Sequence, residues 1–316
     1  MGRFTCCVCH KLVDDDAPRL GGRVYCDYHY AKVTRERSSV WRSSAAQIAL
    51  IIIFAVGVAL IAKATEPTLD GMALVLVGVV LALVPAVLWL LLFYGQDRLE
   101  PEPKPFVIGV FVLGALLASA VGIPVVREVF RVQDWLGRSL IVNLLGSILV
   151  VGFVQEFLKY AAVRYSVYLH PEFDERMDGI LYGTAAGLGF ATMLNIHYVV
   201  GSGGVDLGVG VIRIVVTTLA QASFAGVSGY FLGRAKFEEE QVWWLPTGLT
   251  VAAVLNGLFT VISGSVTRVG SAMSGSTANP WYSLLLAAVV AGLVFSVLMV
   301  LIRRSIRLTL AGGQGA

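Results

Sequence analysis

Charge is scarce in this sequence. Only 14% of its 316 residues are Asp, Glu, Lys or Arg, against 57% hydrophobic residues and a mean hydropathy of +0.77, a balance foreign to water-soluble folds. Net charge is also small: 24 basic against 21 acidic residues leave +3, which gives no basis for nucleic acid as a partner. Cysteine is confined to four positions within the first 26 residues, too few and too local for the disulfide framework of a secreted domain. A metal or reduced thiols, and hence the cytoplasmic side, fit better. The start Met1-Gly2-Arg3-Phe4-Thr5-Cys6 places no apolar run behind a basic residue, so no cleavable signal peptide is expected.

What the sequence has in quantity is long apolar runs. Windows of roughly 20 residues, the length that crosses about 30 Å of hydrocarbon, recur near 45–62, 71–94, 105–126, 139–168, 178–200, 208–233, 241–265 and 281–302. These are far longer than strands, and open sheet edges cannot face lipid. The expected fold is therefore an all-α polytopic membrane protein, a bundle of about eight transmembrane helices over residues 45–307. Before it come a small polar unit at 1–30 and a basic juxtamembrane linker at 31–44; after it comes a flexible tail at 308–316. Loop charges orient the bundle with both termini in the cytoplasm, because that places Arg35, Arg37, Arg42, Arg98, Lys104, Arg176, Arg234, Lys236, Arg303, Arg304 and Arg307 on one side. Arg127, Arg131 and Arg138 fall on the other side, beside Glu128 and Asp134, and read as an amphipathic interfacial segment. Lys32, Arg35, Arg37, Arg42 and Trp41 suit either a solvated linker or contact with anionic lipid headgroups.

The N-terminal unit carries a metal-ligand pattern. Cys6-x2-Cys9 and, after sixteen intervening residues, Cys26-x2-His29 supply four ligands as two knuckles, the arrangement one structural zinc requires. So short a unit cannot bury a core of its own, so the metal supplies most of its folding free energy. Gly21-Gly22 permits a tight turn before the second knuckle. Cys7 with His10 forms a competing knuckle offset by one residue. The run Gly22-Arg23-Val24-Tyr25-Cys26-Asp27-Tyr28-His29-Tyr30 resembles the second zinc module of LIM domains and related treble-clef fingers, a resemblance that implies binding of a cytoplasmic protein.

Ionisable residues inside a span cost about 2.5 to 3.5 kcal/mol each at the helix centre, so each needs a reason. The fourth window carries Gln155, Glu156 and Lys159; the fifth Asp178, Asn195 and His197; the sixth Gln221; the seventh Asn256. At 1.5 Å per residue Gln155, Leu194, Gln221 and Asn256 all lie on the order of 18 to 25 Å from the cytoplasmic ends, and residues from four helices are expected to meet there. Gly179, Gly183 and Gly187 on one helix, and Ala225, Gly229 and Gly233 on the next, form small-residue faces for close helix packing.

Val154-Gln155-Glu156-Phe157-Leu158-Lys159 resembles the Glu-Glu-x-x-Lys motif of the PrsW family of intramembrane proteases, and the run from Phe173 to Ala191 matches that family's next linker and helix. The resemblance covers about residues 70–305. It implies a membrane peptidase with a hydrolytic, metal-dependent site built from glutamates and histidines. Here the corresponding positions are Gln155, Leu194 before Asn195, Gln221 and Asn256, leaving Glu156 and Lys159 of the titratable set. Amides offer neither a titratable proton nor strong zinc ligation. The expected protein is then a non-catalytic relative, a pseudoprotease acting as scaffold, assembly or regulatory subunit for a membrane protein or transmembrane segment. Its vestigial site would be a metal-free cluster in which Gln155, Asn195, Gln221 and Asn256 converge beside a Glu156–Lys159 ion pair. An active peptidase built from Glu156, His197 and Asn195 is the alternative. A transporter is suggested only by the polar centre at mid-membrane depth.

Overall fold

The computed structural model describes residues 4–20, 22–35, 40–65, 71–97, 99–201, 209–271 and 280–312. Gly21, Arg37, Arg98 and the last four residues of the expected tail lie outside them. The N-terminal unit opens with two antiparallel hairpins, β1 (Phe4–Thr5) with β2 (Leu12–Val13) and β3 (Arg19–Leu20) with β4 (Arg23–Val24). Gly22 turns the second hairpin with φ +81°, in the left-handed region where a side chain is strained. Helix α1 (Asp27–Arg35) follows directly, so the second knuckle opens a helix that runs on into the expected linker. The unit docks on the bundle: Tyr25 is wholly buried and its hydroxyl donates to the Leu99 carbonyl at 3.0 Å.

The bundle consists of α2 (Val40–Thr65), α3 (Gly71–Tyr94), α4 (Lys104–Leu117), α5 (Leu140–Gly146), α6 (Phe153–Ser166), α7 (Arg176–Gly201), α8 (Val209–Phe237), α9 (Trp244–Ser271) and α10 (Pro280–Gly312). Seven helical stretches among the described residues have the length and hydropathy of a span. The first expected window falls on α2, whose described apolar part is Ile48–Val58. The tail expected from residue 308 differs: α10 continues to Gly312, because Leu308, Thr309, Leu310 and Ala311 contain nothing that breaks a helix before the glycines.

Helix α7 is the axis of the fold, enclosed by α3, α4 and α8. Its glycines explain how. A Cβ on Gly179, Gly183 or Gly187 would collide with the α8 backbone at Gly229, Ala225 or Gln221, and one on Gly189 with Phe111 of α4. Close approach of this kind gives dispersion contact along the whole crossing. Two spans are not regular α-helices. α4 runs on through π-helical turns at Ala118–Gly122 and Val125–Val129, and α5 joins α6 through another at Ser147–Gly152. A π turn adds a residue and rotates everything after it, so the face that α6 presents cannot be extrapolated from α5. Beyond Val129 the chain turns through Arg131, at φ +47°, and exposes Arg127, Arg131 and Arg138 in the expected interfacial segment.

Candidate functional site

Directly after the π turn at Ser147–Gly152, α6 points Gln155, Glu156 and Lys159 into the bundle; all three are buried. The Lys159 ammonium donates to Glu156 Oε1 at 2.6 Å and to Gln221 Oε1 of α8. From α9, Asn256 Nδ2 reaches Glu156 Oε1 at 2.6 Å and Gln155 Oε1 at 3.1 Å. Gln221 Nε2 closes the ring, donating to Asn256 Oδ1 at 3.2 Å and Gln155 Oε1 at 3.4 Å. Three helices thus supply one amide network around an ion pair, whose ammonium also sits 5.2 Å from the Phe190 ring centroid. Leaving such groups unpaired would cost about 1–3 kcal/mol each. Among the described residues, Glu156 Oε2 is the one buried oxygen of the network without a partner.

Asn195 stands apart from this network, contrary to its expected place in the cluster. Its amide turns to α8, donating to Thr218 Oγ1 at 3.0 Å and to the Ile214 carbonyl at 3.4 Å. The tight α7–α8 crossing brings that carbonyl within reach first. Leu194 and Asn195 line a cavity of 430 Å³ with Gln155 and Gln221, together with Arg127, His197, Tyr198 and Arg213. His197 hydrogen-bonds Arg127 through Nε2 rather than joining Glu156. Arg213 is a lining residue that the sequence reading does not single out; its signal is a lone cation inside an apolar window.

The metal that the resemblance implies does not fit the amide cluster. Its donor set contains one carboxylate, already bound by an ammonium and an amide, and no imidazole; Gln155, Gln221 and Asn256 offer only weak carbonyl donors for zinc. The N-terminal unit differs. Cys6, Cys9, Cys26 and His29 converge with all four donor atoms within 4.8 Å of one another. Cys26 Sγ lies 3.1 Å and Cys6 Sγ 3.6 Å from His29 Nδ1, and Cys9 Sγ lies 4.0 Å from Cys26 Sγ. A tetrahedral zinc with bonds of about 2.0–2.3 Å sets its ligands roughly 3.3–3.8 Å apart. Although burial opposes its thiolate, backbone N–H groups of Cys26, Cys9 and Val8 bring Cys6 down to about 6. Burial pushes the neighbouring Cys7 up to about 11, and His10 instead lines a small cavity with Glu100, Glu102 and Asp174.

That cavity marks the seam between the unit and the bundle. Arg23 pairs with Glu100, and at 3.0 Å with both Asp174 and Glu175. Behind it Glu102 accepts from the Tyr182 hydroxyl at 2.6 Å, and its backbone N–H donates to Asp97 at 3.0 Å. Carboxylate oxygens of Glu102, Asp174 and Asp178 lie within 4.8 Å of one another. Burial, opposed by hydrogen bonds from Tyr182 and Asp178, pushes Glu102 up to about 7; burial and then the Glu175 charge raise Asp97 well above the carboxylate range.

Among known protein families, residues 102–293 match the one described as PrsW family intramembrane metalloprotease. Protease PrsW of Bacillus subtilis (strain 168) is 34% identical over 180 residues, 56% of this chain and 78% of that protein. Protease PrsW of Halalkalibacterium halodurans is 32% identical over 182 residues, 57% of this chain and 80% of that one. For the same protein of Shouchella clausii the figures are 30% over 188 residues, 59% and 83%. No solved structure matches. With the family match covering most of the bundle, and the motif helix α6 crossing α8 and α9 at one polar centre, the chain belongs to the PrsW family of polytopic membrane proteins.

Proposed function

We propose that this chain is a non-hydrolytic member of the family: a scaffold, assembly or regulatory subunit that holds a membrane protein or transmembrane segment against the bundle. The observation that carries this reading is the state of Glu156. It is wholly buried, it does not line the 430 Å³ cavity, and its bonded oxygen is held by Lys159 and Asn256. A general base needs reach to a water and freedom to take its proton, and the amides at Gln155, Gln221 and Asn256 cannot titrate in its place. The second reading is an intramembrane peptidase acting through Glu156. The names of the relatives point to it more directly than to the first, and Glu156 with Lys159 keeps the end of the motif. Reconstitution with single-pass membrane substrates separates the two. We expect no cleavage above that of Glu156→Gln, and a stoichiometric membrane partner on isolation in mild detergent. Cleavage lost on Glu156→Gln would establish the peptidase.

In the same proposal Cys6, Cys9, Cys26 and His29 hold one structural zinc, and the LIM-like finger they form contacts a cytoplasmic protein. The ligand separations support the zinc. In this reading both termini lie in the cytoplasm of a cell-membrane protein, which the basic residues at one set of helix ends support.

A further inference from the structure

The cavity above the amide network is cationic at its mouth. Exposed Arg127 lines it in contact with His197. Arg213 lines it too, its guanidinium carbon 3.7 Å from the Tyr198 ring centroid. Among the described residues no hydrogen-bond partner reaches Arg213 Nε or Nη1, and both are closed to water, so an anion meets them only as the side chain turns toward the cavity. Among the described residues that line the cavity none is Asp or Glu. Buried guanidinium donors are ordinarily paired, and their planar fork fits the oxygens of an anion.

From this geometry we propose that the cavity binds a phosphate oxyanion, with the phosphodiester headgroup of an anionic membrane lipid as its source. Depth selects the lipid. His197 and Arg213 each lie four residues inside a helix end, α7 closing at Gly201 and α8 opening at Val209. At 1.5 Å per residue they stand roughly 6 Å below those ends, near the headgroup level where tyrosine and arginine also gather. The cavity's 430 Å³ accommodates a headgroup phosphate between the two arginines, with Gln155 and Gln221 at its inner end. The site is separate from the basic linker and lies at the ends of α7 and α8 remote from Arg23; it shares Gln155, Leu194 and Gln221 with the vestigial centre, so it rests on the reading of that centre as non-hydrolytic.

The test uses the full chain in detergent micelles, with native mass spectrometry and thermal unfolding read in parallel. Phosphatidylglycerol, zwitterionic phosphatidylcholine and inorganic phosphate are titrated separately. One phosphatidylglycerol should be retained with at least tenfold preference over phosphatidylcholine, and Arg213→Gln should remove that preference. Because the Arg213 guanidinium stacks on Tyr198, the substitution should lower the melting temperature of the lipid-free protein only slightly, and the lipid preference is read on the folded protein. Arg127→Gln is the second variant should Arg213→Gln fail to fold, with a loss of preference again expected. Stabilisation by inorganic phosphate that vanishes in Arg213→Gln would support the oxyanion site with a soluble source. Equal lipid retention by wild type and both variants, with no phosphate effect, would overturn the proposal.

Discussion

Lys159 and Glu156 set the energetics of the site at the scale of single residues. Each is buried, and each would be an uncompensated charge without the other. Lys159→Met alone is therefore expected to cost about 3–5 kcal/mol, because it strands the Glu156 carboxylate among amides that cannot neutralise it. Adding Glu156→Gln should restore much of the loss, since replacing both members of a buried pair is often neutral. Reversible unfolding in mixed micelles measures both; equal loss in the single and double variants would show that the pair is not coupled. Much of this cluster is legible in the sequence, because Gln155, Gln221 and Asn256 are polar residues at a common depth in apolar windows. Asn195 is not, since depth says nothing about which neighbour an amide meets first, and the Ile214 carbonyl and Thr218 are settled by packing. Arg213 escapes notice because a single arginine near a span end reads as one that reaches for the interface.

At the scale of elements, the α7–α8 crossing is built on absent side chains. Gly183 sits against the Ala225 carbonyl and the Gly229 Cα, so Gly183→Leu must push the helices apart. A loss of about 1–3 kcal/mol is expected from overpacking, with the Gln221 end of the crossing displaced from Lys159. Among the described residues nothing lies within 4 Å of a Cβ added to Gly109 or Gly292, so alanine there should be neutral or stabilising by up to about 1 kcal/mol. Chemical denaturation of the three variants decides it, and equal effects would refute the packing account. The four-residue spacing of the glycines announces this face in the sequence. The π turns at Ala118–Gly122, Val125–Val129 and Ser147–Gly152 have no such sign, because nothing in an apolar helix marks where one extra residue is accommodated.

At the scale of the whole molecule, the N-terminal unit and the bundle are joined by a seam whose charges come from distant parts of the chain: Arg23 on one side and Glu100, Asp174 and Glu175 on the other. Sequence spacing marks the candidate metal ligands of the unit but not this contact, since no local pattern relates residues so far apart. Two expectations follow from the seam. Removing the proposed zinc with a chelator, or Cys26→Ser, should unfold the N-terminal unit and raise hydrogen exchange around Leu99, where Tyr25 seals the loop; unchanged protection there would show the docking to be independent of a metal. Glu102 has its pKa raised from 4.5 to about 7. The folded state therefore binds the extra proton between those values, and the stability Glu102 contributes is present below 4.5 and lost as pH rises through about 7. Asp97 and Glu175 face the same cluster and shift in the same direction. Protection from exchange at the seam should accordingly fall between about pH 4.5 and 7, and Glu102→Gln should flatten that profile; an unchanged profile in the variant would assign the effect to Asp97 or Glu175.

The Glu156–Lys159 pair has one further consequence, for the order in which the chain is made. Both members belong to α6, one turn apart, whereas their amide partners Gln221 and Asn256 come from helices synthesised later. Neutralisation of the buried pair is thus available to α6 within itself as it leaves the ribosome, and the helix can partition into lipid with those two charges matched before α8 and α9 exist, its remaining charge, Arg164, lying in the last turn. Had the counter-charge been carried on α8 instead, α6 would have had to wait in the insertion channel for its partner.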